Sequence, residues 1–247
     1  MSMKDIKAIV LAAGKGTRLH SEAYQLPKVL REANGKPLLH YVLDALSFLD
    51  QKDIVLVVGY MRDKVLARFS GYPYAVQDPQ NGTGHAVQCA EEHLRDFDGT
   101  VLVCCGDMPL LRKETYEALL SEHEKNGCPC TFLTGTSDLD LPYGRILRDE
   151  AGNFLRVVED RDCTPEQQKI RELNAGVYAF DCKELLACLK LLTNDNAQQE
   201  YYLTDVPELM RKRGGKIGLC CVELGNQIIG VNTQEQLDMV EAYLKKN

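Results

Sequence analysis

The sequence predicts an α/β fold in which a mostly parallel, mixed sheet is covered by helices on both faces. Apolar runs without polar alternation recur at residues 8–12, 54–58 and 101–105, as strands buried on both faces require. Amphipathic helical stretches separate these runs, the arrangement that connects parallel strands. The 247 residues, 45% hydrophobic and 26% charged, suit one domain with a full core.

Taken in order, residues 8–12 form the first strand. After Pro37, at a helix start, Leu38, Leu39, Val42, Leu43, Leu46 and Leu49 recur at helical spacing. Residues 54–58 form the next strand, 62–69 a helix, 74–76 a short strand and 84–94 a helix. The run 101–105 is a third buried strand, followed by a helix over 113–126. Residues 143–148 and 154–159 flank Asp149-Glu150-Ala151-Gly152-Asn153, a turn signal that predicts a hairpin. A strand over 173–180, helices near 184–192 and 203–213, a strand over 217–222 and a terminal helix over 233–246 complete the chain. With no repeat or linker in view, the expectation is a single Rossmann-like domain spanning 1–247, with one half at about 1–110, a second at about 111–232 and the terminal helix after them.

Composition excludes several classes. No apolar run approaches the ~20 residues that cross a bilayer. The run 8–13 is broken at Gly14 and lacks a cleavage site, so the expectation is a cytoplasmic protein without membrane contact. The net charge of −7 disfavours nucleic acid. Residues 1–37 nevertheless carry seven basic side chains against three acidic ones, a local excess suited to a small polyanion. Among ten cysteines, the adjacent pairs Cys104-Cys105 and Cys220-Cys221 end apolar runs, where Cys acts as a small buried hydrophobe. Cys128 and Cys130 lack a second pair at zinc spacing.

The strongest chemical signal is Leu11-Ala12-Ala13-Gly14-Lys15-Gly16-Thr17-Arg18, directly after the first strand. Gly14 and Gly16 let the backbone turn tightly and bring N–H groups to phosphate oxygens, while Lys15 and Arg18 add charge. Small Ala12 and Ala13 leave room for a base or ribose. The pattern is neither a Walker A loop nor a dinucleotide fingerprint. A Gly-x-Gly alone reads equally as a tight strand-to-helix turn; the attached basic residues and Pro27-Lys28 favour phosphate.

These residues, with Leu26-Pro27-Lys28-Val29-Leu30 and Gly35-Lys36-Pro37, resemble the nucleotidyltransferases that activate sugar 1-phosphates. The likeness is closest to the uridyltransferase (pyrophosphorylase) domain of the bifunctional N-acetylglucosamine-1-phosphate uridyltransferases. It continues through Gln77, Asn81-Gly82-Thr83-Gly84-His85-Ala86, Gly106-Asp107-Met108-Pro109-Leu110 and Tyr143-Gly144-Arg145-Ile146. Val158-Glu159, Asn174-Ala175-Gly176, Glu200-Tyr201-Tyr202-Leu203-Thr204-Asp205 and Gly230-Val231-Asn232 extend it almost to the end.

The resemblance implies a Mg2+-dependent enzyme that joins UTP to N-acetylglucosamine 1-phosphate and releases pyrophosphate, supplying a cell-envelope precursor. Its partners are small molecules, and a monomer is expected. Arg18 and Lys28 are then catalytic cations. Leu11, Ala12, Ala13, Gly14, Lys15, Gly16, Thr17, Gln77, Gly82, Thr83, Gly106 and Asp107 bind the nucleotide. Gly144, Glu159, Asn174 and Asn232 bind the sugar phosphate, and Asp107 and Asn232 hold the metal. Read alone, Lys28 is a surface lysine, Asp107 a turn residue before Pro109, and Asn232 an N-cap. Gln77 is likewise a polar strand end, Glu159 a solvated hairpin carboxylate and His85 a helix-start packing residue. Thr204 and Asp205 read as caps of the helix that follows them.

Two departures stand out. The segment 19–27 is about three residues longer than the family loop and is expected to bulge at 22–25. Ala175 stands where relatives carry Thr. With no hexapeptide repeats, the acetyltransferase half is expected to be absent. The competing readings are transfer to glucose 1-phosphate, transfer from CTP to an alcohol phosphate or to molybdopterin, and a non-catalytic nucleotide sensor.

Overall fold

The computed structural model describes residues 5–19, 21–136 and 141–246. Lys4, one of the basic residues counted above, lies outside them. β1 (Ile6–Ala12) opens the fold and leads through a turn to the four-residue helix α1 (Ser21–Tyr24). A two-stranded ribbon, β2 (Glu32–Ala33) and β3 (Lys36–Pro37), feeds α2 (Leu38–Ala45). β4 (Ile54–Val58), α3 (Arg62–Arg68), β5 (Tyr74–Val76) and α4 (Thr83–Cys89) follow. Next come β6 (Thr100–Cys105), α5 (Lys113–Asn126) and β7 (Cys130–Thr136). The hairpin β8 (Arg145–Arg148) and β9 (Phe154–Val158) precedes the long β10 (Glu172–Asp181). α6 (Cys182–Leu189), α7 (Val206–Lys212), β11 (Ile217–Cys221) and α8 (Gln234–Leu244) close the chain.

The main sheet runs β11-β7-β10-β6-β1-β4-β5, with β8 and β9 attached at β10. Along that path β6, β1, β4 and β5 are parallel to one another and β11 is parallel to β7, while β10 runs antiparallel between β6 and β7. This mixed, mostly parallel α/β sheet is the predicted class. β7 and the β2–β3 ribbon went unpredicted. β7 has a Thr- and Gly-containing stretch whose apolar pattern is weak, and each ribbon strand is only two residues long.

Strand periodicity sorts the core into layers. In β1, Ala8, Val10 and Ala12 pack on one face and Ile9 on the other; in β4, Ile54, Leu56 and Val58 oppose Val55 and Val57. The first face is covered by Leu39, Val42 and Leu43 of α2 and by Tyr116, Leu119 and Leu120 of α5. The second is covered by Ala86 and Val87 of α4, Leu185 and Cys188 of α6, and Val206 and Met210 of α7. A third cluster joins Leu237 and Val240 of α8 to Leu19, Leu38, Leu110 and Val231. The same alternation corrects the expectation for the cysteine pairs. Cys104 and Cys220 are buried, whereas Cys105 is half-buried and Cys221 exposed, because adjacent strand residues face opposite ways.

Helix ends also differ from expectation. Thr204 and Asp205 do not cap α7 through their side chains; Thr204 instead bonds Glu159. The segment 19–27 follows from a 3-10 turn (Thr17–Leu19) and contains α1, and Gln25 has a φ of 50°. Lys64 donates to the Gln25 carbonyl, and the Arg31 guanidinium lies 4.1 Å over the Tyr24 ring. The loop is thus tied to α3 and to Arg31, just before the ribbon.

Leu56 is fully buried at the centre of β4. Leu56→Ala should destabilise the fold by about 2–5 kcal/mol, lowering the urea midpoint without changing the slope of the transition.

Candidate active site

β1 ends at Ala12, and Gly16, at φ 68°, turns the chain where an L side chain would be strained. A Cβ on Gly14 would lie 4.0 Å from Lys28 Cε, so the glycine turn and the lysine stem are neighbours. Lys28 opens a 3-10 turn after Pro27, anchored by buried Val29 and Leu30. Its Nζ forms a salt bridge with Asp107 Oδ2 and donates to Asn232 Oδ1 at 2.9 Å.

Backbone bonds bring these partners together. Gly106 N–H donates to the Leu11 carbonyl at 2.9 Å, tying the end of β6 to β1. Val231 N–H donates to the Asp107 carbonyl at 2.9 Å, which delivers Asn232 to the same point. Thr233, not Asn232, caps α8, in a capping box with Gln236. The Asn232 side chain is thereby left to face Lys28. Two hard oxygen donors, one carboxylate and one amide, contact a single cation there. That donor chemistry fits a magnesium ion, which completes its shell with water and substrate oxygens. Among the described residues no cluster of three or more His, Cys, Asp or Glu side chains is placed to hold a metal.

Two cavities meet at this point and share Leu11, Thr83, Cys105 and Asp107. The larger, about 470 Å3, is lined by Ala13, Gly14, Lys15, Gly16, Thr17, Lys28, Gln77 and Gly82. Gly82 has a φ of 105°, and a Cβ there would meet the Tyr201 carbonyl oxygen at 2.6 Å. Only glycine fits. Thr83 Oγ1 accepts from Leu203 N–H at 3.0 Å, which fastens the 200–204 segment over the start of α4.

The smaller cavity, about 180 Å3, is lined by Gly144, Glu159, Asn174 and Asn232. β10 enters it because it runs antiparallel to β6, so its N-terminal residues reach the carboxyl edge of the parallel strands. Its pairing with β7 shifts register between Asn174 and Tyr178, a bulge that pushes Ala175 and Gly176 toward the cavity. Asn174 is held by donating to Tyr178 Oη at 2.6 Å and accepting from Gly176 N–H at 3.1 Å. Glu159 ends the hairpin and accepts from Thr204 Oγ1 at 2.8 Å. Burial pushes its carboxyl above the ordinary range, the Thr204 bond opposes this, and nearby Asp205, Asp162 and Asp160 add to the rise.

Not every expected residue reaches the cleft. Arg18 is exposed on the 3-10 turn after the loop and lines neither cavity. Ala12 points into the core, and Gly106 contributes its backbone bond. Conversely, Gln80, Glu200, Cys105, Tyr143 and Thr204 line the cavities without having been singled out as binding residues. Tyr143 and Thr204 stood inside recognised motifs. Cys105 was masked by its apolar run.

A further cavity of about 400 Å3, lined by Ile6, Thr100, His123, Cys128 and Asp181, lies where β1 and β6 begin. Open α/β sheets bind ligands at the opposite edge.

An edge with phosphate-sized backbone donors on one side and a polar cavity on the other is suited to joining a nucleotide to a second phosphorylated molecule, as nucleotidyltransferases do. Known proteins agree with this class. Residues 8–175 match the MobA-like NTP transferase domain, and the chain belongs to that family. The bifunctional protein GlmU of Clostridium novyi is 44% identical over 240 residues, which is 96% of this chain and 52% of that protein. GlmU of Brevibacillus brevis is 43% identical over 246 residues, 99% of this chain and 52% of that protein. The chain thus spans about half the length of the curated relatives it matches. A putative glucose-1-phosphate thymidylyltransferase from Bacillus anthracis, solved with a sucrose, shares the fold at a TM-score of 0.77. It is 21% identical, over 98% of this chain and 96% of that one. No helix among the described residues is long and apolar enough to cross a membrane.

Tyr143 ties the two cavity walls together: its hydroxyl accepts from Gly230 N–H at 2.7 Å and donates to the Ile228 carbonyl at 2.8 Å. Tyr143→Phe should cost about 1–3 kcal/mol in chemical denaturation, because both backbone groups lose their partner in a largely buried place.

Proposed function

We propose that the chain transfers a uridylyl group from UTP to N-acetylglucosamine 1-phosphate, releasing pyrophosphate. The observation that carries this reading is the convergence of Lys28, Asp107 and Asn232 where the two cavities meet. A nucleotide in the larger cavity has its α-phosphate at that junction, facing the phosphate of an acceptor in the smaller one.

A phosphate oxygen of the acceptor attacks the α-phosphorus in this scheme. The new P–O bond forms as the bond to the bridging oxygen of the β-phosphate breaks, and the electron pair leaves with pyrophosphate. No covalent enzyme intermediate is needed, so the protein's work is alignment and charge neutralisation. Gly14 to Thr17 supply backbone donors, Lys15 and Lys28 supply positive charge, and Arg18, exposed beside the loop, adds to the field rather than to the cavity wall. Asp107 and Asn232 are the residues that would hold magnesium, which when bound offsets triphosphate charge and polarises the reacting phosphate. With a metal held there, Lys28 would no longer be needed by Asp107 and could turn to phosphate oxygens. Glu159 and Asn174 receive the sugar hydroxyls and acetamido group. The amides of Gly82 and Gln77 read the pyrimidine.

The motif resemblance to the N-acetylglucosamine-1-phosphate uridyltransferases, together with the similarity to the GlmU proteins, supports this substrate pair. The thymidylyltransferase of like fold makes dTTP with glucose 1-phosphate the second pair to test, since Gln77 by itself does not separate uracil from thymine.

The deciding measurement is pyrophosphate release from ATP, CTP, GTP, UTP and dTTP against N-acetylglucosamine 1-phosphate and glucose 1-phosphate, with and without magnesium. UTP with the acetylated sugar should be fastest and should need the metal. Metal-independent ligand binding without turnover would instead mark a nucleotide sensor. Lys28→Ala should lower kcat by roughly 100- to 1000-fold, as loss of one aligned charge does. Glu159 must be ionised to accept from two sugar hydroxyls, and its carboxyl titrates above the usual range. Hence kcat/KM for the sugar phosphate should fall on the acid side earlier than an ordinary carboxylate would dictate. Thr204→Val removes the bond that favours the ionised form, so that acid limb should move to higher pH.

A further inference from the structure

Gln77 is buried at the end of β5, with its backbone N–H donated to the Val58 carbonyl, and the residue lines the larger cavity. Its Nε2 donates to the Gly82 carbonyl at 2.8 Å. A backbone carbonyl only accepts, so the NH2 end of the amide must be the end that faces it. The same Nε2 lies 3.3 Å from His85 Nδ1, on the first turn of α4. The other ring nitrogen, His85 Nε2, lies 3.7 Å from Cys89 Sγ, one helical turn on. One tautomer satisfies both contacts: Nε2 carries the proton toward the sulfur, and Nδ1 accepts the second amide hydrogen of Gln77. Both amide hydrogens are then spent on protein partners, and no protein donor among the described residues meets Gln77 Oε1.

We infer that His85 is a positioning residue for base selection: it locks the Gln77 amide so that the base cavity presents a carbonyl acceptor. Uracil and thymine carry an N3–H that donates to such an oxygen. Cytosine carries a bare N3 lone pair at that place, which the oxygen repels. This rests on the nucleotidyltransferase reading of the cavity but concerns the base alone, so it is testable without knowing the acceptor.

The experiment is equilibrium binding of UTP and CTP by calorimetry, with magnesium, for the unaltered protein, His85→Ala and His85→Asn. In His85→Ala one amide hydrogen loses its acceptor and the amide turns more freely. The UTP-over-CTP preference should fall by about five- to tenfold, the worth of one hydrogen bond of this kind. In His85→Asn the side-chain oxygen takes the amide hydrogen, and the preference should return. A merely structural role for His85 would weaken both nucleotides equally and leave the ratio unchanged, which overturns the proposal. So would a restored fold with an unrestored ratio in His85→Asn, and so would an unaltered protein that binds CTP as well as UTP. Should His85→Ala not fold, a preference in His85→Asn matching that of the unaltered protein supports the proposal and a lost preference refutes it. If UTP is preferred but no acceptor yields pyrophosphate, the transferase reading fails and the base-selection reading stands.

Discussion

The clasp of Lys28 with Asp107 and Asn232 is the contact on which the rest of the site depends. Its three members come from the turn after Pro27, the end of β6 and the entry to α8. Holding a carboxylate and an amide oxygen at one point requires a cation between them. In the described structure the lysine ammonium is that cation. A point that attracts positive charge from two directions is also where a polyphosphate and its counter-ion are best accommodated. The clasp therefore marks the electrostatic focus of the cleft before any substrate is considered.

Around that focus, the topology of the sheet decides which chemistry is within reach. An all-parallel sheet would present only the loops that follow its strands. β10, reversed between β6 and β7, contributes the beginning of a strand instead, and its bulge turns Ala175 and Gly176 inward. The segment 200–204 then joins the halves. Tyr201 exchanges backbone bonds with Asn81 and Gly84, Leu203 donates to Thr83, and Thr204 reaches Glu159. The walls of the two cavities are thus linked by one stretch of chain.

Ala175 and the 19–27 loop are the two places where the sequence is expected to depart from the family pattern. The loop is fastened at Gln25 and Tyr24, and Lys28 beyond it still reaches Asp107 and Asn232. Ala175 offers the smaller cavity no hydroxyl, so in the proposed reading recognition there rests on Asn174 and Glu159.

The sequence alone determined the layered α/β class, the central strands β1, β4 and β6 with their helices, and the glycine turn. These follow from hydrophobic periodicity and backbone freedom, which act over a few residues at a time. It also contained, through family resemblance, most residues that line the cleft. The partners lay beyond it. Lys28 and Asn232 are 204 positions apart, and Thr204 reads locally as a helix cap until the hairpin brings Glu159 to it. Arg18 reads as a partner of the loop, yet its turn directs it outward. Cys105 reads as core until strand alternation sets it on the cleft wall. Such outcomes depend on which strands pair and in what direction, a choice made by burial of the whole sheet rather than by any one segment.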